Sequence, residues 1–254
     1  MNPSVHIIAA AGIDDALRDD MFALFDIYYG DVSKARFRAD LEHKTDLIVL
    51  RDGERVVGFS TLEVHEFDFE GARECAIFSG DTIIARPWWG TQLLSIAFCE
   101  FAGRTKADAP GRRLWWLLIS KGHRTYRYLN AFALQFHPSP QPASDPSIRA
   151  RADLLAARRF GDAYDPAHGV LRFAQSRGHL KPQWHVETGT RSDTVWNRFF
   201  EARNPGFAQG DELVCMTELA APNLKRLAQR AFIQGMARSV QPETVAPRVP
   251  RHAV

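Results

Sequence analysis

IFSGDTIIARPWWGTQLL, residues 77–94, is an apolar run that breaks at Gly80, carries Asp81 in mid-run and ends in Pro87, Trp88, Trp89 and Gly90. A buried strand handing over to a helix reads this way, because proline stops the strand and helical spacing of apolar residues begins after Gly90. The free backbone N–H groups around Gly90, Thr91 and Gln92, at the positive end of that helix, suit a phosphate group. An ordinary turn with the two tryptophans as packing groups fits the same letters.

Upstream, DLIVLR (46–51) and VVGFSTLEV (56–64) flank Asp52-Gly53, a dipeptide suited to a tight hairpin. DFEG (68–71) supplies a second turn before ECAIFSGDTIIA (74–85), so the three segments predict an antiparallel meander. Before it, 14–29 places Leu17, Met21, Leu24, Phe25 and Tyr28 on one helical stripe, and Ser33 caps a second short helix carrying Phe37 and Leu41. Two helices are therefore expected ahead of the first clear strand.

Downstream, GTQLLSIAFCEFA predicts a helix burying Leu93, Leu94, Ala97, Phe98 and Phe101, and RLWWLLIS (113–120) is apolar on both sides, as a strand covered on both faces would be. Strand, crossover helix and second buried strand make a parallel βαβ unit. Beyond 137 the pattern changes. A proline-rich linker leads to a helix from Asp145-Pro146 to about Phe160, an ambiguous stretch from 161 to 190, a helix after Ser192, a strand ELVCMTEL, and a helix from 223 to about 238 with Leu224, Leu227, Ala231 and Phe232 inward. The expected organisation is a core over 1–136, a mostly helical insertion over 137–210, the last core strand and helix over 211–238, and a disordered tail over 239–254.

Composition narrows the function. The chain has 254 residues, is 45% hydrophobic and carries a formal net charge of +2, enough for one sizeable core but not for a dense basic surface, which argues against nucleic acid as the main partner. Cys75, Cys99 and Cys215 are scattered in apolar surroundings, as reduced core cysteines would be, and no Cys/His cluster suggests a metal. No apolar run approaches the ~20 residues of a membrane span, and the expectation is a cytoplasmic protein.

Three groups carry candidate chemistry. Asp81 in an apolar strand is costly unless paired, hydrogen-bonded or set at a cavity; in a cleft, desolvation would suit it to deprotonate an amine. A carboxylate capping a turn or paired with Arg86 is the alternative. Glu63 and His65, alternating on the neighbouring strand, are reserve bases. SKGHRTYRYL (120–129) follows a buried strand, so Lys121, His123 and Arg124 emerge at its C-terminal edge, where ligands gather in open α/β sheets; arginine there would give bidentate contacts to phosphates, and a solvated basic helix face is the bland reading. Tyr28, Tyr29, Phe37 and the tryptophans could line a pocket or belong to the core.

The order of elements, with Gly80 in the third strand, Pro87 in the loop and Gly90 opening the next helix, resembles the GNAT superfamily of acyl-CoA N-acyltransferases over roughly 5–135 and the strand near 212–219. Trp89 occupies the usual arginine position of the glycine turn, and Gln92 and Leu93 replace later small residues, so CoA and carrier-protein thioesters both stay open as donor. The resemblance implies an α/β fold with a mixed, mostly antiparallel sheet, flanking helices and a long insertion. It implies transfer of an acyl group from a CoA or carrier-protein thioester to a small-molecule amine without a metal, and a donor surface formed by Ile83, Arg86, Trp89, Gly90, Thr91, Lys121 and Arg124. Asp81 would be the base. A tyrosine of the helix after 120 would protonate the leaving thiolate, Tyr126 or, facing being unresolved, Tyr128. A GNAT-shaped binding module for a small molecule or carrier protein, without catalysis, is the other reading.

Overall fold

In a computed structural model of the chain, which describes residues 3–141, 145–184 and 194–240, the first element is a strand, β1 (Ser4–Ala9), paired antiparallel with residues 46–51. This corrects the expectation of two helices before any strand. SVHIIA is a short edge segment, too brief for its periodicity to stand out. Next comes α1 (Asp15–Tyr28), capped by the Asp14 carboxylate, which accepts from the Leu17 N–H at 2.8 Å. It buries Leu17, Met21, Leu24, Phe25 and Tyr28, the stripe expected from spacing. The short β2 (Tyr29–Gly30) and α2 (Lys34–Leu41) follow, the latter capped by Ser33 with Phe37 and Leu41 inward.

The meander consists of β3 (Asp46–Asp52), β4 (Arg55–Phe69) and β5 (Ala72–Ile84). Its hairpins turn through left-handed backbone at Gly53 (φ 60°) and Gly71 (φ 80°), where glycine carries no steric penalty. Then α3 (Leu93–Asp108) crosses to β6 (Leu114–Ser120), which pairs parallel with β5 from Cys75↔Leu114 to Ser79↔Leu118. Both faces of β6 are covered as expected. Trp116 packs on the side of α1 and α3, while Trp115 and Leu117 face α5 (Pro146–Phe160). Between them lies α4 (His123–Phe132).

The segment 137–210, expected to be mostly helical, also contributes strands. β7 (Tyr164–Asp165) and β8 (Val170–Leu171) extend the sheet, and β9 (His179–Leu180) pairs with β2. Two-residue strands carry no periodic signal, which left this stretch ambiguous. After α6 (Val195–Arg203), β10 (Glu212–Glu218) joins β6 antiparallel, and α7 (Arg226–Val240) closes the described chain. The sheet has eight strands in the order β1-β3-β4-β5-β6-β10-β8-β7, with β5–β6 its one parallel pair. The fold is thus mixed α/β with a mostly antiparallel sheet and flanking helices, the class expected.

Helices α3 and α7 meet backbone to backbone. A Cβ on Gly103 would lie 2.0 Å from the Phe232 carbonyl oxygen, and one on Gly235 2.0 Å from that of Glu100. Leu227 points outward, 46% exposed, and Ala228 takes the inward position, correcting the facing expected for this helix. On the other side of the sheet, α5 is clamped by a buried ion pair. Arg151 meets Glu74 through two bonds of 2.7 and 2.8 Å, and the Trp115 indole N–H donates to the same carboxylate at 2.6 Å. The expected tail lies outside the described residues apart from the end of α7. Among the described residues no helix is long and apolar enough to cross a membrane.

Candidate active site

The site begins where β5 and β6 part. Their pairing ends at Ser79↔Leu118, while β5 continues along β4 to Ile84. There β5 bulges: Ser60 pairs with Thr82 and Leu62 with Ser79, so Gly80 and Asp81 oppose Thr61 alone. A bulge re-aims a side chain and bends its strand. Only glycine fits at its first position, because a Cβ at Gly80 would lie 2.6 Å from the Thr61 hydroxyl and 3.2 Å from the Lys44 ammonium. The bulge at Gly80 and Asp81 thus lies just past the point where the parallel pair parts.

Asp81 lines a cavity of about 620 Å³ between α2, α5 and the parted strands. Glu63, His65, Lys44, Lys121 and Glu212 share its wall. Most of the wall's carboxylates are ion-paired: Asp40 with Lys44 at 2.8 Å, Glu63 with Arg159 at 2.6 Å, Glu212 with Lys121 at 3.4 Å, and Glu66 with Arg73 at 3.0 Å. Asp31 faces the His179 imidazole at 3.3 Å. Asp81 has no hydrogen bond or ion pair among the described residues. Burial, reinforced by the charges of Asp40 and Glu212 and opposed by those of Lys121 and Lys44, pushes its carboxyl up to about 6. The Glu212 carboxyl is likewise raised by burial. Burial lowers the His65 imidazole, whose Nδ1 is buried without a hydrogen-bond partner, as is Oε2 of Glu63. All three candidate bases therefore meet in one cavity.

A smaller cavity of about 110 Å³ adjoins the first and shares Tyr29, Thr82, Lys121 and Thr125 with it. Ile83, Trp89, Arg124 and Tyr128 also line it. Aromatic groups crowd this side. The Trp89 indole N–H donates to the Ile84 carbonyl at 2.7 Å, and the Arg124 guanidinium lies 3.9 Å from the Trp89 ring centroid. Trp184, from the segment after β9, packs on Tyr28 at 4.8 Å and on Trp89 at 5.9 Å.

Of the expected donor-surface residues, Ile83, Trp89, Lys121 and Arg124 are thus brought together. Arg86, Gly90 and Thr91 line neither cavity. Arg86 is exposed, with its backbone N–H on the Tyr28 hydroxyl at 2.7 Å. Gly90 adopts φ +95° with open space where a Cβ would stand, and Thr91 precedes α3, its hydroxyl accepting from the Leu93 N–H at 3.4 Å while the N-cap residue Gln92 makes no side-chain cap bond. Apart from that N–H, the positive end of α3 beside an open glycine fits an anion as far as the backbone is concerned.

Tyr126 is fully buried, stacked 6.1 Å from Phe199, and its hydroxyl donates to the Pro138 carbonyl at 2.9 Å. That hydroxyl is committed to the core. Tyr128, the other tyrosine of α4, faces the smaller cavity instead, and burial raises its phenol. Sequence reasoning missed Lys44, which approaches the cavity from the loop after α2 and carries no local signal, and Glu212. The latter did leave a clue of the kind Asp81 gave, a carboxylate opening an apolar strand.

No protein-family model and no curated protein matches the chain. Solved structures overlap it in part. A probable N-acyltransferase from Enterococcus faecalis superposes with a TM-score of 0.39 at 15% identity, covering 54% of this chain and 33% of its own. Arabidopsis thaliana NAA60 in complex with acetyl-CoA gives 0.37 at 11% identity, with coverages of 52% and 87%. A Trypanosoma brucei acetyltransferase gives 0.35 at 15% identity, with 57% and 99%. The chain spans a third of the first of these relatives, and overlaps this partial carry nothing about substrate.

Proposed function

We propose that the protein transfers an acyl group from a CoA or carrier-protein thioester to an amine. The observation that carries this reading is Asp81, an unpaired carboxylate raised to about 6, at the bulge where β5 and β6 part and on the wall of the larger of two adjoining cavities. A base of that acidity is largely ionised at neutral pH and still able to hold a proton drawn from an ammonium. In the larger cavity Asp81 takes that proton; the freed amine attacks the thioester carbonyl; the thiolate leaves on the side of the smaller cavity. The Tyr128 hydroxyl, kept protonated by burial, gives a proton to the sulfur, taking the role expected of Tyr126, and is restored by the second proton that the attacking nitrogen sheds as it becomes an amide. Lys121, on the wall of both cavities, and Arg124 bring positive charge to the donor side, with the backbone at Gly90 and Thr91 facing its phosphates. The larger cavity, about 620 Å³, is by itself in the range of small-molecule sites, and the smaller one adjoins it.

A second reading, a binding module without catalysis, draws on the aromatic packing of Trp89, Trp184 and Arg124 over the donor side. Incubation with a panel of acyl-CoA and acyl-carrier thioesters, following melting temperature and thiol release with added amines, separates the two. Stabilisation with amine-dependent thiol release is the expected result. Stabilisation without turnover by any amine overturns the enzyme reading, and no response to any thioester overturns donor binding.

A further inference from the structure

The charges of the larger cavity do not cancel locally. Asp81 is the wall carboxylate left without a cationic partner among the described residues, and it sits on the parted strands. At the mouth stand Arg36, Arg158 and Arg177, all exposed, none of them ion-paired with a described carboxylate. Two of these are tethered. The Arg36 guanidinium donates to the Ser176 carbonyl, and that of Arg177 lies 4.2 Å from the Phe173 ring centroid. The segment holding them is itself fixed, since the Lys121 ammonium donates to the Arg177 carbonyl at 3.0 Å. An outer hollow of about 380 Å³, lined by Arg36, His43, Phe173 and Arg177, continues from the same mouth.

We propose that the compound seated in the larger cavity is an amine that also carries a carboxylate or phosphate group, its ammonium at Asp81 and its anion held by Arg36, Arg158 and Arg177. A lone, half-buried carboxylate is most stable opposite a cation, and guanidinium forks match carboxylate and phosphate oxygens in bidentate geometry. Tethering through Phe173 and Ser176 lowers the cost of ordering two of the forks on binding. The inference deepens the acyl-transfer reading by naming its acceptor class, and rests on that reading for the word acceptor alone.

Equilibrium binding by titration calorimetry needs no donor. Two matched pairs serve as probes: ethanolamine with phosphoethanolamine, and phenethylamine with phenylalanine. The anionic member of at least one pair should bind about tenfold or more tighter than its neutral partner, as a charge-assisted contact would give. The pair that shows the preference distinguishes phosphate from carboxylate. In the double variant Arg158→Gln/Arg177→Gln, both exposed positions, that ratio should collapse toward one. Equal affinities in the unaltered protein, no binding of any probe, or a ratio that survives in the variant would each overturn the inference. A preference that collapses as expected, with no thiol released from any thioester, leaves the inference standing and removes acyl transfer instead.

Discussion

Replacing Asp81 with asparagine should raise stability and abolish turnover together, and the two effects should share one pH dependence. In the fold the carboxyl is pushed from its ordinary 3.8 to about 6, chiefly by burial. At about 1.4 kcal/mol per tenfold change in acidity, this difference is worth about 3 kcal/mol. Because the folded value lies above the unfolded one, the fold favours the protonated acid. That contribution is fully present below 3.8 and is lost as pH rises through about 6. At pH near 8 the native protein carries a half-buried negative charge that asparagine does not, so Asp81→Asn should be more stable by up to about 3 kcal/mol, or roughly 6 °C or more in melting temperature for a chain of this size. Near pH 3.5 the two proteins should melt alike. Urea unfolding across this range measures the difference directly. A difference independent of pH, or a variant less stable at pH 8, would refute the description of Asp81 as an unpaired, half-buried carboxylate. In the acylation assay the unaltered protein should gain rate with pH around a midpoint near 6, whereas the variant should fall by about 10²–10⁴ and lose that rise. Full activity in the variant would remove Asp81 from the chemistry even if the stability effect held.

Three further outcomes are expected. Arg151→Ala leaves Glu74 buried without its bidentate partner and should cost about 3–5 kcal/mol, read from chemical denaturation, with early protease cleavage around α5; unchanged stability would disprove the clamp. Gly80→Ala drives a methyl to 2.6 Å from the Thr61 hydroxyl and should cost about 1–3 kcal/mol, part of which Thr61→Ala in the same chain should restore; strict additivity in the double-mutant cycle would count against a bulge held at this contact. Gly235→Ala places a methyl 2.0 Å from the Glu100 carbonyl oxygen and should separate α3 from α7, lowering the melting temperature by at least as much as Gly80→Ala does.

What the sequence disclosed follows from how local each signal is. The meander and crossover were legible because β3, β4, β5 and β6 are long enough for apolar spacing to speak, and because Asp52-Gly53 marks a turn by chemistry alone. Asp81 stood out for the same reason, since a carboxylate inside such a run has a cost that must be met somewhere. β1, β7, β8 and β9 left no trace, being short pieces whose pairing depends on distant strands. The choice between Tyr126 and Tyr128 was also beyond local reach. Two residues apart on α4, they point to nearly opposite sides, and what separates them is the Pro138 carbonyl, which a bend in the chain brings to one hydroxyl and not the other. Lys44 and Glu212 matter only through the tertiary cavity that gathers them around Asp81.

Trp89 ties the donor side together physically. In a glycine-rich turn an arginine would offer its charge to a diphosphate; here the indole folds back instead, its N–H spent on the Ile84 carbonyl at the end of β5. Positive charge stands beside it all the same, because Arg124 of α4 stacks over that same ring at 3.9 Å. Stacking on an aromatic face leaves the edge N–H groups of a guanidinium free, so Trp89 can orient a cation it does not itself supply. Trp184 then covers the pair from the segment after β9, against Tyr28 and Trp89. A thioester arm entering beside Ile83 would have to pass this aromatic cover, and its entry would be opposed by the packing of three rings rather than by charge. The same chain segment that narrows the donor side continues back toward Arg177 at the mouth of the larger cavity, with Lys121 bonded to the Arg177 carbonyl between them. That segment is therefore part of the wall of both cavities, Phe173 and Arg177 on the larger and Leu180 and Trp184 on the smaller.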